Sequence, residues 1–153
     1  MDFDKLRSAG YLTNHLARLF AHALHGRIAP LGLAPAQFMT LLELWEGDGL
    51  TQVELVSRLD VEQATMANTL TRMERDGLIR RAPHPEDRRA RLVFLTDRAR
   101  ELRAPAIEAA RSVNADMLEP LTADEQNVLV DLMEKMVSAR RTARRQGEMA
   151  GEE

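Results

Sequence analysis

The stretch of sequence that decides the fold is LIRRAPHPEDRRARLVFLT, residues 78–96. Leu78–Ala82 and Arg91–Leu95 have the composition of two short strands, and the connection between them is rich in proline and charge. This pattern predicts a β-hairpin with two adjacent arginines, Arg88 and Arg89, at its tip. Charged tips are often simply solvated, but a tip of this kind beside a helix-turn-helix favours contact with DNA.

Two short helices are predicted before the hairpin. The first begins at the capping box Thr51-x-x-Glu54 and ends near Asp60, and the second extends from about Glu62 to Asp76. Two short helices with a tight turn between them are common in helical proteins, so the pair alone is not specific. The hairpin that follows them makes the prediction specific: a winged helix-turn-helix with a two-stranded wing.

Long amphipathic helices are predicted on both sides of this lobe. An apolar stripe with helical spacing ends at Pro30, a helix capped by Thr96 continues to about Glu119 with a kink at Pro105, and another begins at Thr122. Aromatic residues make up only 4% of the chain, which also favours helix over sheet. The expected fold is mainly α, in a single domain (1–153). We expect the winged helix-turn-helix lobe at about 36–95 and the flanking helices at about 5–31 and 96–145. A disordered tail is expected at 146–153.

The composition and the motif content exclude several functional classes. The chain has no cysteine, so disulfides, thiolate metal sites and cysteine nucleophiles are excluded. It has no glycine-rich phosphate loop or nucleophile elbow, which argues against an enzyme and against a bound cofactor. His22 and His25 have a spacing that metal ligands can have, but no third ligand lies on the same turn, so we expect no metal. A secretory signal and a membrane-spanning run are lacking as well, which predicts a soluble cytoplasmic protein without membrane association.

Charge is distributed unevenly along the chain. The formal net charge is −3, yet Thr51–Arg100 has a balance of +2 and the rest of the chain a balance of −5. All ten basic residues of this middle part are arginines. Arginine suits phosphates and guanine edges, although a preference for arginine over lysine also reflects a GC-rich genome.

With these features the chain resembles a MarR-type (multiple antibiotic resistance regulator) winged helix-turn-helix protein over about Tyr11 to Val137. The most specific match is Asp87–Thr96, an Asp-Arg-Arg run followed by a hydrophobic strand that ends in Leu-Thr; Ala99 stands where many members have glycine. The resemblance implies a ligand-responsive regulator, most often a repressor, that binds a near-palindromic double-stranded DNA operator as a homodimer. The long apolar helices agree with a dimer, because their surface must be buried against one another and a second subunit.

The second helix of the helix-turn-helix is expected to read bases. Met66, Leu70 and Met73 have the spacing of a buried stripe, so the other side should face the major groove. There arginine suits guanine, asparagine suits adenine, and threonine suits the thymine methyl group. The residues expected on this side are Thr65, Asn68, Thr69 and Arg72, with Gln63 near the helix start on a phosphate.

For the wing, the resemblance implies that Arg89 enters the minor groove and that Asp87 holds its guanidinium, while Arg88 and Arg91 hold phosphates. Asp87 also fits the interpretation of an ordinary turn residue. A winged helix that binds another protein, not DNA, is the alternative function: the net acidic charge permits it, and the arginine-rich wing argues against it.

A polar and aromatic stripe on the first helix is the candidate effector site. Such a stripe is usually a solvated face, but the resemblance implies a crevice for a small aromatic or phenolic acid near the first two helices. Polar groups beside apolar walls suit such a ligand. The candidate lining consists of Tyr11, His15, Arg18 and His22 on the first helix and Phe38 and Trp45 on the second.

Overall fold

The computed structural model describes residues 2–151. The chain forms two compact units, one up to Val113 and one from Asn114 onward. Its elements in chain order are α1 (Ala9–Ile28), α2 (Pro35–Glu46), β1 (Leu50–Thr51), α3 (Gln52–Leu59), α4 (Gln63–Arg75), β2 (Ile79–Pro83), β3 (Arg91–Leu95), α5 (Asp97–Glu101), α6 (Arg103–Leu118) and α7 (Ala123–Ala150).

Both predicted capping boxes form. At the start of α3, the Thr51 N–H donates to Glu54 Oε2 at 3.0 Å and the Glu54 N–H donates to Thr51 Oγ1 at 3.2 Å. At the start of α7, Thr122 and Glu125 exchange the same pair of bonds at 2.8 and 3.3 Å. Each box satisfies two N–H groups that the first helical turn leaves without an intrahelical partner, so these helix starts were readable from sequence.

The core of the first unit lies inside the helix-turn-helix and its flanks. Leu41 and Leu44 of α2, Leu55 of α3 and Leu70 and Met73 of α4 are essentially inaccessible to solvent. The core continues through the sheet and into α1, α5 and α6, where its buried members are Ile28, Leu78, Ile79, Val93, Leu95, Ala99 and Ala106. The apolar face of each short helix is thereby removed from water, which holds α4 in a fixed orientation.

The sheet has three antiparallel strands in the order β1-β3-β2, one more than the sequence predicts. β2 and β3 form the predicted hairpin, with Ile79 opposite Leu95. β1 pairs Leu50 with Val93 on the other edge of β3. A two-residue strand is too short to show an alternating pattern, so β1 could not be predicted from the sequence. The expected fold class, mainly helical with a small winged sheet, is confirmed.

The helix after the wing differs from the prediction. The sequence predicts one helix from Thr96 with a kink at Pro105, whereas the structure ends α5 at Glu101 and begins α6 at Arg103. Pro105 lies in the first turn of α6, where a missing N–H costs nothing, and the chain breaks one turn before the proline. The expected kink thus takes the form of a break at the single residue Leu102, one turn before Pro105, while the Leu102 N–H still donates to the Arg98 oxygen and the Ala106 N–H to the Leu102 oxygen.

The C-terminal segment also differs from the expectation. α7 continues to Ala150, so the predicted disordered tail is helical over residues 146–150; Glu152 and Glu153 lie outside the described residues. Arg144 Nε lies 3.3 Å from Glu148 Oε1 one turn later, a pair that supports a helix. Good helix formers thus extend α7 beyond its apolar stripe. Over residues 2–151, no helix combines the length and the apolar character that crossing a membrane requires.

Candidate nucleic-acid interface

Helix α4 presents a polar side to solvent. Met66, Leu70 and Met73 are buried, as their spacing predicts. On the other side of the helix the structure exposes Thr65, Asn68 and Arg72. Three of the four side chains expected to face outward therefore do so, and they occupy successive turns of one short helix.

Thr69 is the exception among the residues expected on that side. Its side chain is only 8% exposed, and its Oγ1 donates a hydrogen bond to the main-chain oxygen of Thr65 at 2.9 Å. At about 100° per residue, Thr69 lies about 40° from Met73 around the helix, within the buried stripe. The expectation that Thr69 faces the groove is therefore wrong, and helical geometry alone could have shown it.

The wing tip is a closely hydrogen-bonded loop. The His84 N–H donates to the oxygen of Ala90 at 3.3 Å, and the Ala90 N–H donates to the oxygen of Asp87 at 3.2 Å. Asp87 Oδ1 accepts from the main-chain N–H of Arg89 at 2.9 Å. The expected contact of Asp87 with the Arg89 guanidinium is thus replaced by one with its main chain, because a turn brings this carboxylate to the N–H two residues on. Arg88, Arg89 and Arg91 keep exposed side chains.

A groove of about 380 Å³ separates the wing from the helix-turn-helix. Four of the predicted contact residues line it together: Gln63 from α4 and Asp87, Arg89 and Arg91 from the wing. Gln63 is held by Gln52, whose Nε2 donates to Gln63 Oε1 at 3.2 Å. The groove therefore joins residues that are far apart in sequence into one basic, concave surface.

Sequence reasoning missed the role of Arg81. From β2 its Nε lies 3.6 Å from Glu74 Oε2 of α4, and its Nη2 donates to Thr71 Oγ1 at 3.5 Å. Arg91 Nη2 in turn donates to the main-chain oxygen of Arg81 at 3.4 Å. The Arg81 side chain is only 19% exposed and connects the wing to α4. No local pattern separates such an arginine from the solvated ones beside it.

The C-terminal end of α4 carries a second polar cluster. Asp76, the C-cap, accepts from Arg75 Nε at 3.1 Å and from Gln37 Nε2 of α2 at 2.9 Å. Arg98 Nη1 of α5 donates to the main-chain oxygen of Asp76 at 2.7 Å. The side-chain hydrogen bonds from Arg75 and Gln37 lower the pKa of the Asp76 carboxyl below its usual value. Two other elements, α2 and α5, thus hold the end of α4.

The candidate effector residues fall into two sets. Tyr11 and His15 make an edge contact on α1 with centroids 6.2 Å apart, and the side chains of His15, Arg18 and His22 are exposed. Phe38 is 3% exposed in the core, and its ring lies 6.1 Å from that of Trp45, whose Nε1 donates to the oxygen of Ala99 at 3.0 Å. Among residues 2–151 we find no ring contact between the two sets.

The fold and this surface define a winged helix-turn-helix protein. A sequence model described as the MarR family matches residues 33–90. The transcriptional regulator HosA of Escherichia coli O111:H- is 35% identical over 107 residues, which cover 70% of this chain and 79% of HosA. This chain belongs to the MarR family of transcriptional regulators.

Solved structures agree with this assignment. A mutant MarR from Escherichia coli complexed with operator DNA is 27% identical, with a TM-score of 0.80 and coverage of 89% of this chain and 99% of that one. The PcaV regulator from Streptomyces coelicolor in complex with its natural ligand is 26% identical, with a TM-score of 0.79 and coverage of 92% and 99%.

Proposed function

We propose that this chain is a sequence-specific DNA-binding repressor that binds a near-palindromic operator as a homodimer in the cytoplasm. The observation that carries the proposal is the joint exposure of Asn68 and Arg72 on α4 beside a groove lined by Arg89 and Arg91. The solved complex of a MarR protein with operator DNA, described above, supports the same function for this fold.

The roles follow from the chemistry of each side chain. The Arg72 fork matches guanine O6 and N7, the Asn68 amide matches adenine N6 and N7, and the Thr65 methyl group suits a thymine methyl. Arg89 enters the minor groove, whose negative potential attracts guanidinium groups. Phosphates are held by Gln63, Arg88 and Arg91.

A dimer is proposed from the exposed apolar faces of two helices. On α1, Leu12, Leu16 and Leu19 are 41%, 45% and 47% exposed. On α7 an apolar stripe is exposed as well, formed by Val128, Leu132, Met133, Met136 and Val137. Apolar faces of this size mark interaction surfaces, and a two-fold partner would bury both and place two α4 helices about one DNA turn, roughly 34 Å, apart.

A ligand response is proposed for the stripe on α1. A solved neighbour contains its natural ligand, and Arg18 among exposed aromatic and imidazole groups suits the carboxylate of a small aromatic or phenolic acid. Ligand binding would favour a dimer whose two α4 helices no longer match the operator spacing. The coupling free energy between ligand and DNA is typically about 1 to 3 kcal/mol, so operator affinity would fall roughly 5- to 150-fold. Trp45 is the only tryptophan, so a change in its emission on titration that Arg18→Ala blunts would show that the ligand on α1 also affects α2.

The test of DNA binding is selection of a site from a random duplex library, followed by fluorescence anisotropy at several salt concentrations. With about 6 to 10 phosphate contacts per dimer, affinity should fall by several powers of ten between roughly 50 and 200 mM salt. Recovery of no site, or a flat salt response, would favour the alternative of a protein-binding winged helix. A reporter fused to the selected site then distinguishes repression from activation.

A further inference from the structure

The wing tip is folded around one imidazole nitrogen. His84 directly follows the last residue of β2, and its Nδ1 accepts hydrogen bonds from the main-chain N–H groups of Glu86 and Asp87, each at 3.0 Å. An N–H group can only donate, so Nδ1 must carry a lone pair and no proton. In the neutral ring the proton is therefore on Nε2.

These two bonds determine the path of the chain into the arginines. Asp87, whose N–H is held by His84, accepts two further hydrogen bonds. Its carboxylate accepts from the N–H of Arg89, and its main-chain oxygen accepts from the N–H of Ala90. His84 also donates its own N–H to Ala90. A single side chain thus anchors the loop that carries Arg88 and Arg89.

We propose that His84 is a positioning residue for the wing arginines, acting only as a hydrogen-bond acceptor, and that loss of this acceptor by substitution or by protonation releases the tip and weakens DNA binding. The effect on DNA rests on the function proposed above. The effect on the loop does not, because the hydrogen bonds exist within a single chain.

The sign of the pH effect distinguishes this role from ordinary electrostatics. The charged residues of the hairpin that carries His84 are Arg80 and Arg81 on β2, Glu86, Asp87, Arg88 and Arg89 in the loop, and Arg91 on β3. Among these groups and His84, only the imidazole loses its hydrogen-bond acceptor when it gains a proton, since a protonated carboxyl keeps an acceptor oxygen and a guanidinium has none to lose. A histidine that merely lay near phosphates would strengthen DNA binding when protonated. His84 should weaken it, because its protonated ring has no acceptor.

The experiment compares full-length parent, His84→Asn and His84→Ala on the selected operator between about pH 8 and about pH 5.5. Asparagine places Oδ1 at the same number of bonds from Cβ as Nδ1 and accepts hydrogen bonds without titrating. We expect His84→Asn to bind within about 2-fold of the parent at the higher pH, and His84→Ala to bind about 5-fold more weakly or worse. On acidification the parent should lose affinity relative to His84→Asn. The control His25→Asn, on α1, should retain the pH response of the parent.

The free protein supplies a readout that needs no DNA. The ¹⁵N chemical shifts of the imidazole should show an unprotonated Nδ1 at the higher pH, and the Glu86 and Asp87 amides should exchange faster in His84→Ala or in acid. A protonated Nδ1, equal binding by His84→Ala and parent, or the same pH profile for parent and His84→Asn would each overturn the proposal. A parent that binds no operator would refute the proposed function instead, while the imidazole and amide measurements still decide the role of His84 in the loop.

Discussion

Arg98 on α5 reaches the C-terminal end of α4, where its Nη1 donates to the main-chain oxygen of Asp76 at 2.7 Å. The same guanidinium lies over Gly32, where a Cβ would meet Nη2 at 3.2 Å and φ is +78°. A side chain at position 32 would be strained and would also push Arg98 aside. One arginine therefore connects α5, the segment after α1 and the end of the helix proposed to read DNA.

The first prediction concerns this arginine. Arg98→Ala should lower the free energy of unfolding by about 1 kcal/mol and speed amide exchange at Asp76, Gly77 and Leu78, because a carbonyl at the end of α4 loses its donor. Hydrogen exchange with mass spectrometry measures the local effect.

The matched control is Arg100→Ala on the same helix. Arg100 Nη2 lies 3.0 Å from Asp48 Oδ2, before β1, and among residues 2–151 this guanidinium makes no hydrogen bond or ion pair with α4. This exposed pair should be worth less than about 1 kcal/mol. If both variants change exchange at the end of α4 equally, the connection through Arg98 is not specific.

The second prediction concerns acid. Hydrogen bonds from Arg75 and Gln37 lower the pKa of Asp76 in the folded chain below its ordinary value of 3.8. The ionised carboxylate therefore stabilises the fold at any pH above the pKa that it has in the unfolded chain. That stabilisation is lost as the pH falls through the lower pKa that Asp76 has in the folded chain. Asp76→Asn should therefore be less stable than the parent at neutral pH, and the difference should shrink in acid. Urea unfolding at several pH values measures it, with Asp131→Asn, an exposed carboxylate of α7, as control. A pH-independent difference would contradict the ionic role.

The third prediction separates base reading from positioning. Arg72→Ala should cost roughly 1 to 3 kcal/mol of operator affinity and relax the preference at one base position in each half-site. Arg89→Ala should weaken binding most where A·T-rich flanks narrow the minor groove. If both variants bind a site library with the same affinity and base preference as the parent, these roles are wrong.

Thr69 supplies the control for this prediction. Its buried hydroxyl bonds within α4, to the Thr65 oxygen, so Thr69→Val should leave base preference unchanged, whereas Asn68→Ala, at an exposed position, should relax it. Selection from the same library compares the two variants. A changed preference in Thr69→Val would restore this residue to the reading surface.

The fourth prediction concerns assembly. The parent should sediment at twice the 17.2 kDa of one chain at micromolar concentration and below, and Leu16→Arg should give monomers because it places a charge in the apolar face of α1. Asn14→Arg adds the same charge on the other side of the helix and should stay dimeric. A parent of 17.2 kDa across this range would rule out the dimer.

The sequence predicted features that depend on neighbouring residues. The capping box of Thr51 and Glu54 and the strands around the arginine-rich tip follow from spacings of a few residues, so pattern alone located them. The roles of Arg81 and Arg98 depend on contacts across many residues, with Glu74 and with Asp76. A chain of 21 basic residues offers no local signal that distinguishes these two from the rest.

Pairing between β1 and β3 has a consequence for how the molecule assembles. The hairpin of β2 and β3 closes over the loop of residues 84–90, so its entropy cost is small and it can form early. Leu50 pairs with Val93 only after the chain between them, which contains α3, α4 and β2, has folded back. The pairing of β1 with β3 therefore closes a long loop. Non-local closure of this kind slows folding, and we expect β1 to join last. Pairing of the two-residue strand β1 with β3 would then be the step that joins the N-terminal part of the winged lobe to the hairpin in one cooperative unit.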